Sequence, residues 1–80
     1  MYKNKNGNLN NIAGLRIAEL RKNLSPGMSQ RALADQMQSV GIDIDKNAVQ
    51  RIECGKRFIT DIELKAFAEV LNVDVRKLLW

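Results

Sequence analysis

The residues with chemistry to offer lie between Lys46 and Arg57. Helical spacing over Asp45 to Cys54, at about 100° per residue, sets Asn47, Gln50, Arg51 and Cys54 opposite the apolar pair Val49 and Ile52. Lys46 falls to one side, in the first turn. Amide and guanidinium groups gathered on one face are those that read base edges in a major groove. Arg pairs bidentately with guanine O6 and N7, and Asn or Gln with adenine N6 and N7. A merely solvated face has the same composition, so these residues alone leave both readings open. Catalysis is poorly served, because the chain has no histidine, no glycine-rich phosphate loop and no nucleophile beside a plausible base. Cys54 reads either as an inert residue at a helix end or as a redox-sensitive thiol tuned by Arg51 or Arg57.

The single cysteine rules out an internal disulfide, and the lack of histidine removes the usual zinc spacings. No metal or other cofactor is expected, and the setting is expected to be reducing and cytoplasmic. No apolar run approaches the roughly 18 residues that suggest a membrane span, so no membrane partner is expected. Lys and Arg outnumber Asp and Glu by 13 to 9. Residues 1–60 carry ten basic and five acidic side chains, whereas residues 61–80 carry three and four. The excess favours a polyanionic partner and is equally compatible with ordinary solubility charge.

The elements that hold the polar face follow from periodicity and punctuation. Eighty residues with 45% hydrophobic content close one core and no second domain. Residues 1–10, mostly Asn, Lys and Gly, read as a flexible polar arm; Lys3 and Lys5 either reach toward DNA or belong to a frayed terminus. A helical pattern begins at Asn11, with Ala13, Ile17, Leu20 and Leu24 on one face, and Ser25-Pro26-Gly27 stops it. Ser29 caps a second helix buried through Leu33, Ala34, Met37 and Val40 and ended by Gly41. Ile42-Asp43-Ile44 reads as an extended connector pinned by its isoleucines. Asp45 caps the third helix, and Gly55 gives it a left-handed stop. Thr60 and Glu63 form a capping box for a fourth helix with Leu64, Phe67, Ala68 and Leu71 on its core stripe. Asn72 ends it. Asp74 caps a last short helix carrying Val75, Leu78, Leu79 and Trp80.

Leu33-Ala34, Val49-Gln50-Arg51-Ile52-Glu53, Gly55-Lys56-Arg57 and Leu71-Asn72-Val73, with Arg16-Ile17-Ala18-Glu19-Leu20-Arg21 and Ser29-Gln30, resemble in order and spacing the Cro/cI-like (XRE-type) helix-turn-helix regulators. The resemblance covers about residues 12–79. It implies an all-α, five-helix bundle of the lambda-repressor-like DNA-binding type, with residues 11–80 as the domain and helix 3 in the major groove. Matching positions make Lys46, Asn47, Gln50 and Arg51 the base-contacting residues and Gln30, Arg31, Lys56 and Arg57 the phosphate-contacting ones. Gln30 has a blander alternative as decoration of a helix start, and Lys56 and Arg57 as solvation of a loop. Arg21 and Glu53 match a structural salt bridge. The expected function is sequence-specific binding of double-stranded DNA by a transcriptional regulator, more a repressor than an activator, with no catalysis and no small-molecule cofactor. Between Leu33-Ala34 and Glu53 the chain has about five residues more than the short form of the family, with the surplus spanning Gln38 to Ile44. The resemblance also implies a homodimer, with Leu79 and Trp80 as candidate contacts; Trp80 reads equally as a cover folded over helix 1. The rival reading is a protein-binding adaptor, or antitoxin-like subunit, using the Leu78-Leu79-Trp80 end.

Overall fold

Five helices form among the described residues, each beginning or ending where a side chain or a glycine dictates. They are α1 (Gly14–Lys22), α2 (Gln30–Ser39), α3 (Lys46–Glu53), α4 (Asp61–Leu71) and α5 (Arg76–Leu79). The computed structural model describes residues 9–24 and 26–79. Three N-caps stand where their residue types place them, because a short side-chain oxygen satisfies a backbone N–H that the first turn leaves unpaired. The Ser29 hydroxyl accepts from Ala32 N (3.0 Å) and the Asp45 carboxylate from Ala48 N (2.8 Å). The Thr60 and Glu63 capping box is closed in both directions. At the other ends, Gly41 and Gly55 take φ values of +89° and +79°, and Asn72 the left-handed conformation at +56°. α2 and α3 both close as Schellman turns: Ile42 N donates to Met37 O and Gly41 N to Gln38 O, then Lys56 N to Arg51 O and Gly55 N to Ile52 O.

The core is one cluster fed by every helix. Ile17, Leu33, Met37, Val49, Ile52, Phe67 and Leu78 are fully buried, and Leu20, Leu24, Ile42, Ile59 and Leu64 pack at its edge. α3 lies against both α1 and α2, and α4 and α5 close the bundle from the far side.

Several details depart from the sequence expectations. α1 starts at Gly14 instead of Asn11, because the Asn11 side chain accepts from Gly14 N (2.7 Å) and so acts ahead of the helix. Leu9 and Asn10 do not belong to the arm: Leu9 is half-buried against Gly55, and Asn10 N donates to Gly55 O (2.8 Å). The rest of the arm, with Lys3 and Lys5, lies outside the described residues. Val40 is exposed where the stripe of α2 would bury it, since Gly41 turns the chain away at that point. Leu78 is 1% exposed and belongs to the core, leaving Leu79 as the described part of the apolar end; Trp80 lies outside the described residues.

Candidate nucleic-acid interface

The long connector decides how α3 is presented. Its surplus residues are stitched down: Ile42 N bonds back to α2, Ile44 is buried, and the Gln38 side-chain amide donates to Ile44 O (2.8 Å). The connector therefore delivers Asp45 to the start of α3 from a fixed point, and the added length is absorbed before the helix begins.

α3 buries Val49, Ile52 and Glu53. Lys46, Asn47, Gln50, Arg51 and Cys54 are exposed, at intervals that put them on one face. The four polar side chains make no hydrogen bond or ion pair within the described chain. The Cys54 thiol donates to Arg51 O, with 3.6 Å between sulfur and oxygen. Arg31, exposed near the start of α2, shares a shallow depression with Lys46, and its floor is formed by Ala34, Asp35, Gln38 and Asp45. The fold thus brings Arg31 beside the base-contacting candidates. Lys56 stands exposed in the Schellman turn after α3 and makes no ion pair among the described residues.

Two of the phosphate-contact candidates are already engaged. The Gln30 amide donates to Glu53 Oε1 (2.9 Å), which leaves its second hydrogen without a partner among the described residues. Arg57 holds Glu63 through both terminal nitrogens at 3.0 Å and also donates to Phe58 O. The Arg21–Glu53 pair is bidentate and buried, at 2.7 and 2.8 Å, and a third guanidinium nitrogen donates to Met28 O (2.8 Å). The hydrogen bonds that Arg21 donates to the Glu53 carboxylate raise its pKa above the ordinary guanidinium value against the opposing effect of burial. The acid of α3 is thereby enclosed, and the helix shows no carboxylate on its exposed face.

Hydrogen bonds from Arg57, and then from the Thr60 backbone, hold the Glu63 carboxyl below its ordinary range although burial acts the other way. A carboxyl with a depressed folded value stabilises the fold fully above its unfolded value, 4.5 here, and that contribution is lost as pH falls through the folded value. Thermal melts taken from neutral pH to about pH 3 are expected to show an acid loss that Glu63→Gln reduces. An identical acid limb in the variant would dissociate the carboxyl from that loss.

Sequence reasoning missed three residues that bear on this surface. The Asn11 amide donates to Ile52 O (3.1 Å) and Arg57 O (2.7 Å), and Asn10 Nδ2 donates to Lys56 O (2.9 Å). Asn three residues before a helix start signals a cap, but partners more than forty residues away leave no local trace. Glu63 was legible as half of a capping box and not as the partner of Arg57.

Leu79 lines an apolar groove of about 370 Å³ with Ile12, Phe58, Ile59 and Leu64, and Ile12 and Phe58 are about half exposed. Among the described residues no set of side chains is grouped to hold a metal ion, and no helix is long and apolar enough to cross a membrane.

A comparison with curated proteins gives no match. Among solved structures the chain is similar to the restriction-modification controller protein C.AhdI from Aeromonas hydrophila, at 29% identity and a TM-score of 0.69 over 82% of this chain and 86% of that one. The helix-turn-helix family model matches residues 17–78, from the core face of α1 through Leu78 of α5. With residues 17–78, about three-quarters of its length, inside that match, the chain belongs to the XRE-type helix-turn-helix family of DNA-binding regulators.

Proposed function

We propose that the protein is a sequence-specific double-stranded DNA-binding repressor that lays α3 in the major groove. The observation that carries this reading is the exposed face of α3, where Lys46, Asn47, Gln50 and Arg51 stand unengaged while the helix's acid is enclosed by Arg21 and Gln30. Arg51 pairs with guanine, and Asn47 and Gln50 pair with adenine. Lys46 enters from the Arg31 side. Arg31, Lys56 and the free hydrogen of Gln30 take phosphates, which fix register without reading sequence. Arg57 joins them only with the guanidinium hydrogens that Glu63 and Phe58 leave over, which makes it the weakest of the set. Repression follows from occupancy alone: a chain covering its site excludes competitors, whereas activation needs a further surface for the transcription machinery.

Similarity to a restriction-modification controller protein supports a regulatory role. The apolar groove beside Leu79 supports binding as a homodimer, with two α3 helices about 34 Å apart on a two-fold site. The same groove favours the second reading, a protein-binding adaptor. Salt separates the two, because phosphate contacts release counterions and make duplex affinity fall steeply as salt rises.

Selection of sites from random duplexes tests the reading. One recovered consensus with mirrored half-sites is expected. Arg51→Ala is expected to cost about 1–3 kcal/mol on the preferred site and to relax preference at one base pair, while Lys56→Ala weakens all sequences alike. Failure to bind any duplex at low salt would reject the DNA reading.

A further inference from the structure

We propose that Asn11 is a positioning residue for DNA binding, a tie that sets where the Lys56 turn stands relative to α3. The proposal rests on the DNA reading above. Lys56 sits in the turn where the chain leaves the recognition helix, and its reach toward a phosphate depends on the course of residues 55–57. Three ties from the segment before α1 fix that course. Asn10 N donates to Gly55 O, Asn10 Nδ2 to Lys56 O and Asn11 Nδ2 to Arg57 O, so three successive carbonyls of the turn are held. Of these two asparagines, Asn11 also reaches the helix, because the same amide nitrogen donates to Ile52 O in the last turn of α3, beside the backbone bonds of the Schellman turn. Its remaining polar atom, Oδ1, accepts from Gly14 N and anchors the side chain to the start of α1. One half-buried amide thus joins three places: the first turn of α1, the last turn of α3 and the turn carrying Lys56. Leu9 packs against Gly55 on the near side, so the turn is held by side-chain volume as well as by hydrogen bonds.

The alternative is that Asn11 matters only for stability, and Asn11→Ser separates the two. A serine hydroxyl still accepts from Gly14 N as a cap, but it is too short to span Ile52 O and Arg57 O. Each phosphate contact contributes about 0.9 to the slope of log affinity against log salt, worth about eightfold in affinity at about 0.1 M. Duplex binding by Asn11→Ser is therefore expected to be about eightfold weaker, with a slope shallower by about 0.9, as for Lys56→Ala. The double variant Asn11→Ser/Lys56→Ala is expected to show no further loss. Leu20→Ala, which trims a partly buried side chain at the edge of the core and cuts none of the three ties, serves as the control for lost stability and is expected to keep the wild-type slope.

A wild-type affinity and slope in Asn11→Ser, additive losses in the double variant, or the same slope change in Leu20→Ala would overturn the proposal. If Asn11→Ser does not fold, Asn10→Ala cuts the Lys56 tie alone. A shallower slope then supports the role of the segment, and a wild-type slope overturns it. A wild-type chain that binds no duplex at all fails the DNA reading itself and takes this proposal with it, an outcome distinct from a binding chain whose variant is unaffected.

Discussion

Glu53→Ala is expected to destabilise the protein by about 3–5 kcal/mol, among the largest effects available to a single substitution here. The loss is not the strength of one ion pair, since a buried pair gains in attraction roughly what it costs to desolvate. It comes from what is left behind. Arg21 is 8% exposed and would keep a full charge with only Met28 O to receive it, and the Gln30 amide would lose its acceptor as well. For a domain of this size the drop corresponds to a melting temperature lower by about 12 °C or more. The double variant Arg21→Met/Glu53→Leu removes both charges at similar volume and is expected to lie much closer to wild type in urea unfolding. If the double variant were as unstable as the single one, the stranded charge would not be the cause, and the packing of the two stems would have to be.

Gly14→Ala is expected to cost about 3 kcal/mol or more, and the sign is the informative part. Alanine is the better helix former by about 0.5–1 kcal/mol, so propensity alone predicts stabilisation. Position forbids it. A methyl group on Gly14 would overlap the Ile52 carbonyl oxygen, which is backbone and part of α3, and would also crowd Asn11 Oδ1 at 2.8 Å. The Ile52 carbonyl is backbone and cannot swing aside as a side-chain amide can, so α1 must move off α3, with the overpacking cost that such a shift brings. Chemical denaturation compares the two chains directly. A variant as stable as wild type would mean that the two helices do not approach this closely.

Those two sites mark the border of what a single chain discloses. Arg21 and Glu53 were legible because family resemblance pairs them, but the third member, Gln30, was assigned outward to phosphate and not inward to the carboxylate it meets. Caps and stops at Ser29, Asp45, Gly55, Thr60 and Asn72 were readable because each is satisfied within a few residues of itself. Val40 was misplaced for the opposite reason: periodicity assumes that the helix goes on, and Gly41 ends it. The face of α3 was visible as a pattern, since its apolar partners set the phase. Nothing local distinguishes Gly14 from a permissive glycine in a helix, and nothing local couples Asn11 to Arg57, because both depend on the packing of α1 across the end of α3. Arg57 was read by position as a phosphate ligand, while the acid that engages it was read only as a cap.

The way α3 is fastened has a consequence for how this protein can change. Everything that holds the helix lies on its inner side or at its ends: Val49 and Ile52 in the core, Glu53 under Arg21, Asp45 at the start and the Gly55 turn at the finish. The side chains of Asn47, Gln50 and Arg51 take no part in that fastening among the described residues. Their identities are free parameters of the fold, so substitutions there should leave the melting temperature where it was while altering what the surface fits. On the proposed DNA reading, new specificities can then accumulate by single steps on this face without passing through unstable intermediates, and a designer can vary all three positions on one scaffold.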